Sequence, residues 1–273
     1  MISPTPACGK NSQAELLSIH AGGHLPRPTR EMLISPSLCS AAGDSVQAFE
    51  MKFLLNEAQA RRLEIDLRSF LIDDPHAESG PHPGQYRITT LYFDTPEFDV
   101  YHRQSGYVRR KFRLRRYGDS NDVFLERKAK QGLHVRKRRS PVPLHELDRL
   151  QRPEIESDWV GEWFHRRIQL RRLSPVLSLT YDRMALVGVY EGHPMRATFD
   201  RAIRSRPALD WQLNPVESGA EILTDHVIFE LKYRDFLPDP FKALIHSHQL
   251  SPGKASKFRL GLEASQVITR REE

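Results

Sequence analysis

The run Tyr107-Val-Arg-Arg-Lys-Phe-Arg-Leu-Arg-Arg-Tyr117 constrains this chain more than any other part of it. Side chains alternate faces along an extended strand, which predicts Arg109, Lys111, Arg113 and Arg115 on one side and Arg110, Phe112, Leu114 and Arg116 on the other. Four like charges on one face repel. A sheet can hold such a ladder only where an anion such as a row of phosphates neutralises it, or where water solvates the whole face.

The same two-residue period recurs along the chain. Strands are predicted over 46–54, 86–94, 107–117, 123–130, 134–140, 175–190, 194–204 and 225–234, with Gly118-Asp119 and Gln131-Gly132 as turn signals. Asn56 with Gln59 forms a capping box that starts a helix, whose stripe is Leu63, Leu67 and Phe70. A second helix is expected over 154–173 around Trp159, Trp163 and Ile168, and two more over 240–265, divided by Ser251-Pro252-Gly253. Eight antiparallel strands can close on themselves, so the expected fold is α+β: a closed eight-stranded barrel with helices packed outside.

On each strand one parity gathers charge and the other gathers apolar residues. Glu50 and Lys52 oppose Phe49, Met51 and Phe53; Glu126, Lys128 and Lys130 oppose Val123, Leu125 and Ala129, with Arg127 the one charge on that second face. Tyr181 and Arg183 share a parity, as do Arg196, Thr198 and Asp200; Glu230 and Lys232 oppose Val227, Phe229 and Leu231. For any single strand the ordinary outcome is a charged face turned to water. Surfaces normally intersperse both signs, however, whereas here cations dominate with a few carboxylates among them. In a closed sheet with helices outside, the charged parity lines a channel whose natural occupant is a polyanion. Arg and Lys suit phosphate, and Glu50, Glu126 and Glu230 would hold a hard divalent cation through oxygen.

Other classes of function find little support. The net charge is +6, from 41 basic and 35 acidic residues, so placement matters more than the total. Only Cys8 and Cys39 are present, which leaves the core without a disulfide framework or thiolate metal site and fits a reducing, cytoplasmic setting. No apolar run approaches the roughly 20 residues of a membrane helix, so any membrane association would need a partner. The twelve histidines lack metal-binding spacing, and no Walker, Gly-x-Gly-x-x-Gly or Gly-x-Ser-x-Gly loop occurs. The basic run Arg136 to Arg139 lacks interleaved aromatics, so no nucleic-acid partner is expected. Asp94 and Thr95 are read as a turn cap before Pro96. Residues 1–45 are expected to be a disordered leader, 46–266 a single domain and 267–273 a flexible tail.

The ordered motifs resemble one known family. They are Phe49-Glu-Met-Lys52, Leu91-Tyr-Phe-Asp-Thr95, Lys111-Phe-Arg-Leu-Arg-Arg-Tyr-Gly118, Phe124-Leu-Glu-Arg-Lys128, Lys137-Arg-Arg139, Leu179-Thr-Tyr-Asp-Arg183, Thr198-Phe-Asp200, Phe229-Glu-Leu-Lys232 and Ser256-Lys257-Phe258. The family is the VTC domain, the polyphosphate polymerase domain of the vacuolar transporter chaperone, within the CYTH-like triphosphate tunnel metalloenzymes. The resemblance implies a metal-dependent enzyme, using manganese or magnesium, that moves the terminal phosphoryl group of ATP onto polyphosphate inside a basic tunnel. It implies catalytic roles for Lys52, Arg113, Arg115, Lys128, Lys137, Arg139, Arg183 and Arg196. Lys111, Lys130, Lys232, Lys254 and Lys257 would bind substrate or product phosphates, and Glu230, Glu126 and Glu50 would hold metal. The wider group carries Glu-x-Glu-x-Lys, whereas here Ala48 precedes Glu50 and Lys52. The 136–139 run offers either parity to the interior, of which Lys137 and Arg139 are favoured. The alternatives are an inorganic or nucleoside triphosphatase, with water as acceptor, and a polyphosphate-binding module without turnover.

Overall fold

The computed structural model describes residues 48–75, 77, 84–131 and 134–268. The expected leader with Cys8 and Cys39, residues 46 and 47 of the first predicted strand, Gly132 and the end of the expected tail lie outside the described residues. Of that tail, Val267 and Ile268 are described and rest against the core.

One antiparallel sheet organises the chain. Across it run β1 (Ala48–Leu55), β10 (Val227–Arg234), β8 (His193–Pro207), β7 (Ser174–Tyr190), β3 (Gln85–Asp94), β4 (Arg110–Tyr117), β5 (Asp122–Gln131) and β6 (His134–Pro143), in that order. The short strands β2 (Ile72–Asp73) and β9 (Ala220–Ile222) pair with β7 and β8 and carry no periodic signal in the sequence. The sheet rolls until Cα atoms of its end strands, β1 and β6, come within 8 Å. No ladder joins those two strands among the described residues, so the expected closed barrel is corrected to a rolled sheet with a seam. The seam is crossed by side chains: Lys128 Nζ on β5 meets Glu50 Oε2 on β1 at 3.0 Å.

The apolar parity of the strands faces outward onto helices. Helix α1 (Glu57–Leu67) begins with the expected capping box, Asn56 accepting from the Gln59 amide at 2.8 Å while its own amide donates to the Gln59 side chain at 3.0 Å. With α4 (Asp239–Ser247) it buries Phe53, Phe199, Phe229 and Leu231 from β1, β8 and β10. On the other half of the sheet, α3 (Glu162–Leu170) and a 3-10 helix (Leu144–Gln151) cover Leu91, Phe93, Phe112, Leu114 and Leu125. Each such side chain contributes roughly 1.5–3 kcal/mol by leaving water, which is what drives the charged parity to the opposite face.

Helix α3 is shorter than the predicted 154–173. A Cβ on Gly161 would sit 2.4 Å from the Trp159 ring, so the indole folds back over the chain there, its Nε1 donating to Glu146 at 2.6 Å. That anchor replaces helix before residue 162. A short helix α2 (Asp99–His102) follows β3, and the Asp94 carboxylate accepts from the amides of Thr95, Val100 and Tyr101 at 2.8–2.9 Å, the turn role read from the sequence.

Helix α5 (Lys257–Ala264) is placed differently from the others. Its Phe258 ring lies 5.1 Å from Tyr92, its Gly261 carbonyl meets Ser205 Oγ at 3.4 Å, and a Cβ on Gly261 would come within 2.6 Å of Leu177. The strand registers set Tyr92, Leu177 and Ser205 on the inner face. Only glycine lets α5 lie this close, and the helix crosses one end of the concave surface.

Candidate functional site

Strand register gathers the charged parity onto that concave surface. Arg113 stands opposite Glu126, which stands opposite Arg139; Lys111, Lys128 and Lys137 form the adjacent rung. Tyr92 and Thr90 of β3 face Arg113 and Arg115, and Tyr86 faces Arg183. Arg183 pairs with Asp200, Thr198 with Glu230 and Glu230 with Lys52, while Arg196 pairs with Lys232 and Lys232 with Glu50. The favoured parity of the 136–139 run is therefore the inner one. Arg109 departs from expectation: its φ of 54° puts it in a turn before β4, so the inner ladder on that strand holds Lys111, Arg113 and Arg115.

Carboxylates are sparse here and each is enclosed by cations. Glu126, buried at 1% exposure, accepts from Arg113 Nε at 2.6 Å and meets Lys137 Nζ at 2.9 Å and Arg139 Nε at 3.4 Å. Burial pushes its carboxyl up, but Arg113, Arg115, Lys137 and Arg139 hold it well below the usual range. Glu50 pairs with Lys52 at 3.1 Å as well as with Lys128, and Glu230 pairs with Lys52 and, at 2.8 Å, with Lys232. Asp200 accepts two bonds from Arg183, at 2.6 and 2.7 Å, and meets Lys257 Nζ of α5 at 2.5 Å. Burial opposes its charge; Arg183 and Lys257 prevail and bring it down to about 2.

Two inner cations are less closely matched. Arg115, buried at 6% exposure, comes no nearer to Glu126 than 3.8 Å, and its Nε is buried without a hydrogen-bond partner. Lys111 donates to Ser256 Oγ at 3.0 Å. Burial, together with Lys52, Arg113 and Lys128, brings its ammonium down to about 8 despite the opposing influence of Tyr92. Tyr92 shows the reciprocal effect: burial opposes its ionisation, yet Arg113, Lys111 and Arg115 draw the phenol down to about 8. Both shifts record an excess of positive charge in a dry space.

Of the remaining expected site residues, Arg196 bonds Tyr86 Oη at 2.8 Å and Asp74 at 2.6 Å, and Lys257 belongs to the concave surface. Lys254 is exposed in the loop before α5, where the preceding Gly253 amide donates to the Lys52 carbonyl at 2.8 Å, and its side chain forms no ion pair among the described residues. The side chain of Lys130 lies outside the described residues. Among the described residues no three carboxylates, histidines or cysteines converge on one point. The expected trio is thus not assembled: Glu126 sits in its own cage of cations. Glu50 and Glu230 lie close enough to oppose each other's ionisation, with the Lys52 ammonium between them. Glu50 and Glu230 are the two carboxylates that would hold a hard divalent cation in place of the Lys52 ammonium.

Sequence reasoning missed Asp74, Ser256 and Asp200 as partners of the basic residues. Asp200 shares its parity with Thr198 and Arg196, a usable signal; Asp74 and Ser256 lie in loops, where no period exists to read.

The model of the VTC domain matches residues 47–266. The chain belongs to the VTC domain family. Among solved structures it is similar to a candidate adenylate cyclase from Bacillus halodurans, at 14% identity and a TM-score of 0.47, covering 77% of this chain and 95% of that one. It is also similar to a candidate adenylyl cyclase from Hippeastrum described as having a dominant triphosphatase activity, at 15% identity and a TM-score of 0.45, covering 77% and 93%. No curated protein matches the chain.

Proposed function

We propose that the chain is a polyphosphate polymerase that transfers the γ-phosphoryl group of ATP to a growing polyphosphate chain on the concave basic surface. The observation that carries this reading is the surplus of inner cations over carboxylates: Lys111 has no carboxylate partner among the described residues, and Arg115 shares Glu126 with three other cations at no less than 3.8 Å, so phosphoryl oxygens would suit both. A terminal oxygen of the acceptor chain attacks the γ-phosphorus, the bond to the β–γ bridging oxygen breaks, and that oxygen leaves on ADP. No covalent enzyme intermediate is needed. Arg113, Arg115, Lys128 and Arg183 hold the donor and acceptor phosphates in line and offset charge on the equatorial oxygens. A divalent ion such as manganese or magnesium, when bound, supplies further neutralisation at those oxygens, with Glu50 and Glu230 as its protein ligands.

The enclosure of every inner carboxylate by cations favours one second reading, a polyphosphate-binding module without turnover. Purified protein incubated with ATP and manganese distinguishes the two. Long-chain polyphosphate should accumulate, and Lys128→Ala should abolish it. Orthophosphate release without chain growth would instead indicate a triphosphatase, and binding without either product would indicate the module.

A further inference from the structure

A second set of arginines stands on the opposite, outer face of the sheet. Arg127 on β5 is in register with Arg138 on β6, and Arg110 on β4 lies on the diagonal, next to the Phe112–Arg127 pair. With neighbouring strands about 4.8 Å apart and a rise of about 3.4 Å per residue, these positions fall within roughly 12 Å of one another. Arg167 on α3 and Arg171, which ends that helix, complete the group; the charges acting on Arg127 are those of Arg167, Arg110, Arg138 and Arg171. Among the described residues Arg110, Arg127, Arg138 and Arg167 form no ion pair, and the buried Nε of Arg127 has no hydrogen-bond partner. Arg138 is held in place by stacking 4.4 Å over Trp163, and Arg171 by stacking 4.7 Å over Tyr107.

We infer that this outer cluster is a second binding site for a linear chain of phosphoryl groups, separate from the concave surface; the inference rests on reading that surface as the place where such a chain is made. The cluster is built of arginine alone, whose planar forks take phosphoryl oxygens two at a time. Its centre, Arg127, is half-buried, so a flexible chain can reach it where a flat bilayer cannot. A single-stranded nucleic acid would want bare aromatic rings for stacking, and the Trp163 face is already covered by Arg138.

The test is calorimetric titration of the full chain with long-chain polyphosphate and, separately, tripolyphosphate. Wild-type protein should show two classes of polyphosphate site. Lys128→Ala/Lys137→Ala should retain the outer one. Arg127→Gln/Arg138→Gln should bind long chains about tenfold more weakly at that site while binding tripolyphosphate at the concave surface as before. Because Arg138 packs on Trp163, Arg110→Gln/Arg167→Gln provides a second pair with no ring contact to lose, and it should show the same loss. Unchanged long-chain affinity in both outer variants, or loss of all binding in the concave-surface variant, overturns the inference. So does an outer variant that keeps polyphosphate but loses single-stranded DNA or phosphatidylserine vesicles. Added chain is the probe, so the result stands apart from whether the protein makes polyphosphate from ATP.

Discussion

The guanidinium of Arg115 lies 3.8 Å from the Glu126 carboxylate, whereas its neighbour Arg113 bonds the same carboxylate at 2.6 Å. Two arginines on one strand thus have different standing: one hydrogen-bonds the carboxylate, the other only approaches it. Arg115→Met, which keeps the volume and removes the charge, should change the melting temperature little, because Glu126 keeps Arg113, Lys137 and Arg139 as partners. The same variant should weaken tripolyphosphate binding by about tenfold to a hundredfold, the worth of a charge-assisted hydrogen bond. Thermal unfolding and calorimetric titration check the two halves.

Glu126 should behave in the opposite way. Its neutralisation in Glu126→Gln leaves Arg113, Lys137 and Arg139 without their shared anion, at a cost of about 3 kcal/mol or more. Added tripolyphosphate should restore much of that loss by supplying oxygens to the same cations. Denaturant titrations with and without tripolyphosphate measure both effects; a variant as stable as wild type would contradict the cage.

Ligand binding near pH 8 should take up protons. Lys111 and Tyr92 both titrate at about 8, and an incoming anion favours the charged lysine and the neutral phenol, raising both. The sign is therefore uptake for each group. Calorimetry of tripolyphosphate binding in two buffers of different ionisation enthalpy reads the proton count, and Lys111→Met should lower it.

Acid stability should depend on Asp200. Its carboxyl is held at about 2, below an ordinary 3.8, so the unfolded chain takes up the proton first as the pH falls. The resulting stability is present above about pH 4 and lost as the pH falls through 2. Asp200→Asn should be less stable at neutral pH, because Arg183 and Lys257 lose their anion, and should show a flatter stability profile between pH 4 and 2 in acid titrations followed by circular dichroism.

The two-residue alternation made the inner wall legible, because burying Phe53, Phe112, Leu125 and Phe229 beneath helices forces Lys52, Arg113, Lys128 and Glu230 to the other side. It left the 136–139 run open, since both parities there are basic, and only the register of Lys128 opposite Lys137 sets which side is inner. Arg109 was misplaced because alternation says nothing about where a strand begins, and a positive φ ends the period one residue early. The inner position of α5 was hidden for a different reason: a helix shows which of its faces is apolar but not which side of a sheet it meets. Loop partners such as Asp74 had no period at all. The gap between β1 and β6 is a matter of how far a sheet curls, which depends on twist summed over every strand.

That gap gives the seam a property a fully hydrogen-bonded barrel lacks. The Lys128–Glu50 contact that spans it is made of the same kind of group that a phosphate would compete for. An anion that recruits Lys128 would release Glu50 and loosen the join, so the aperture of the bore would answer to the charge of its own guest.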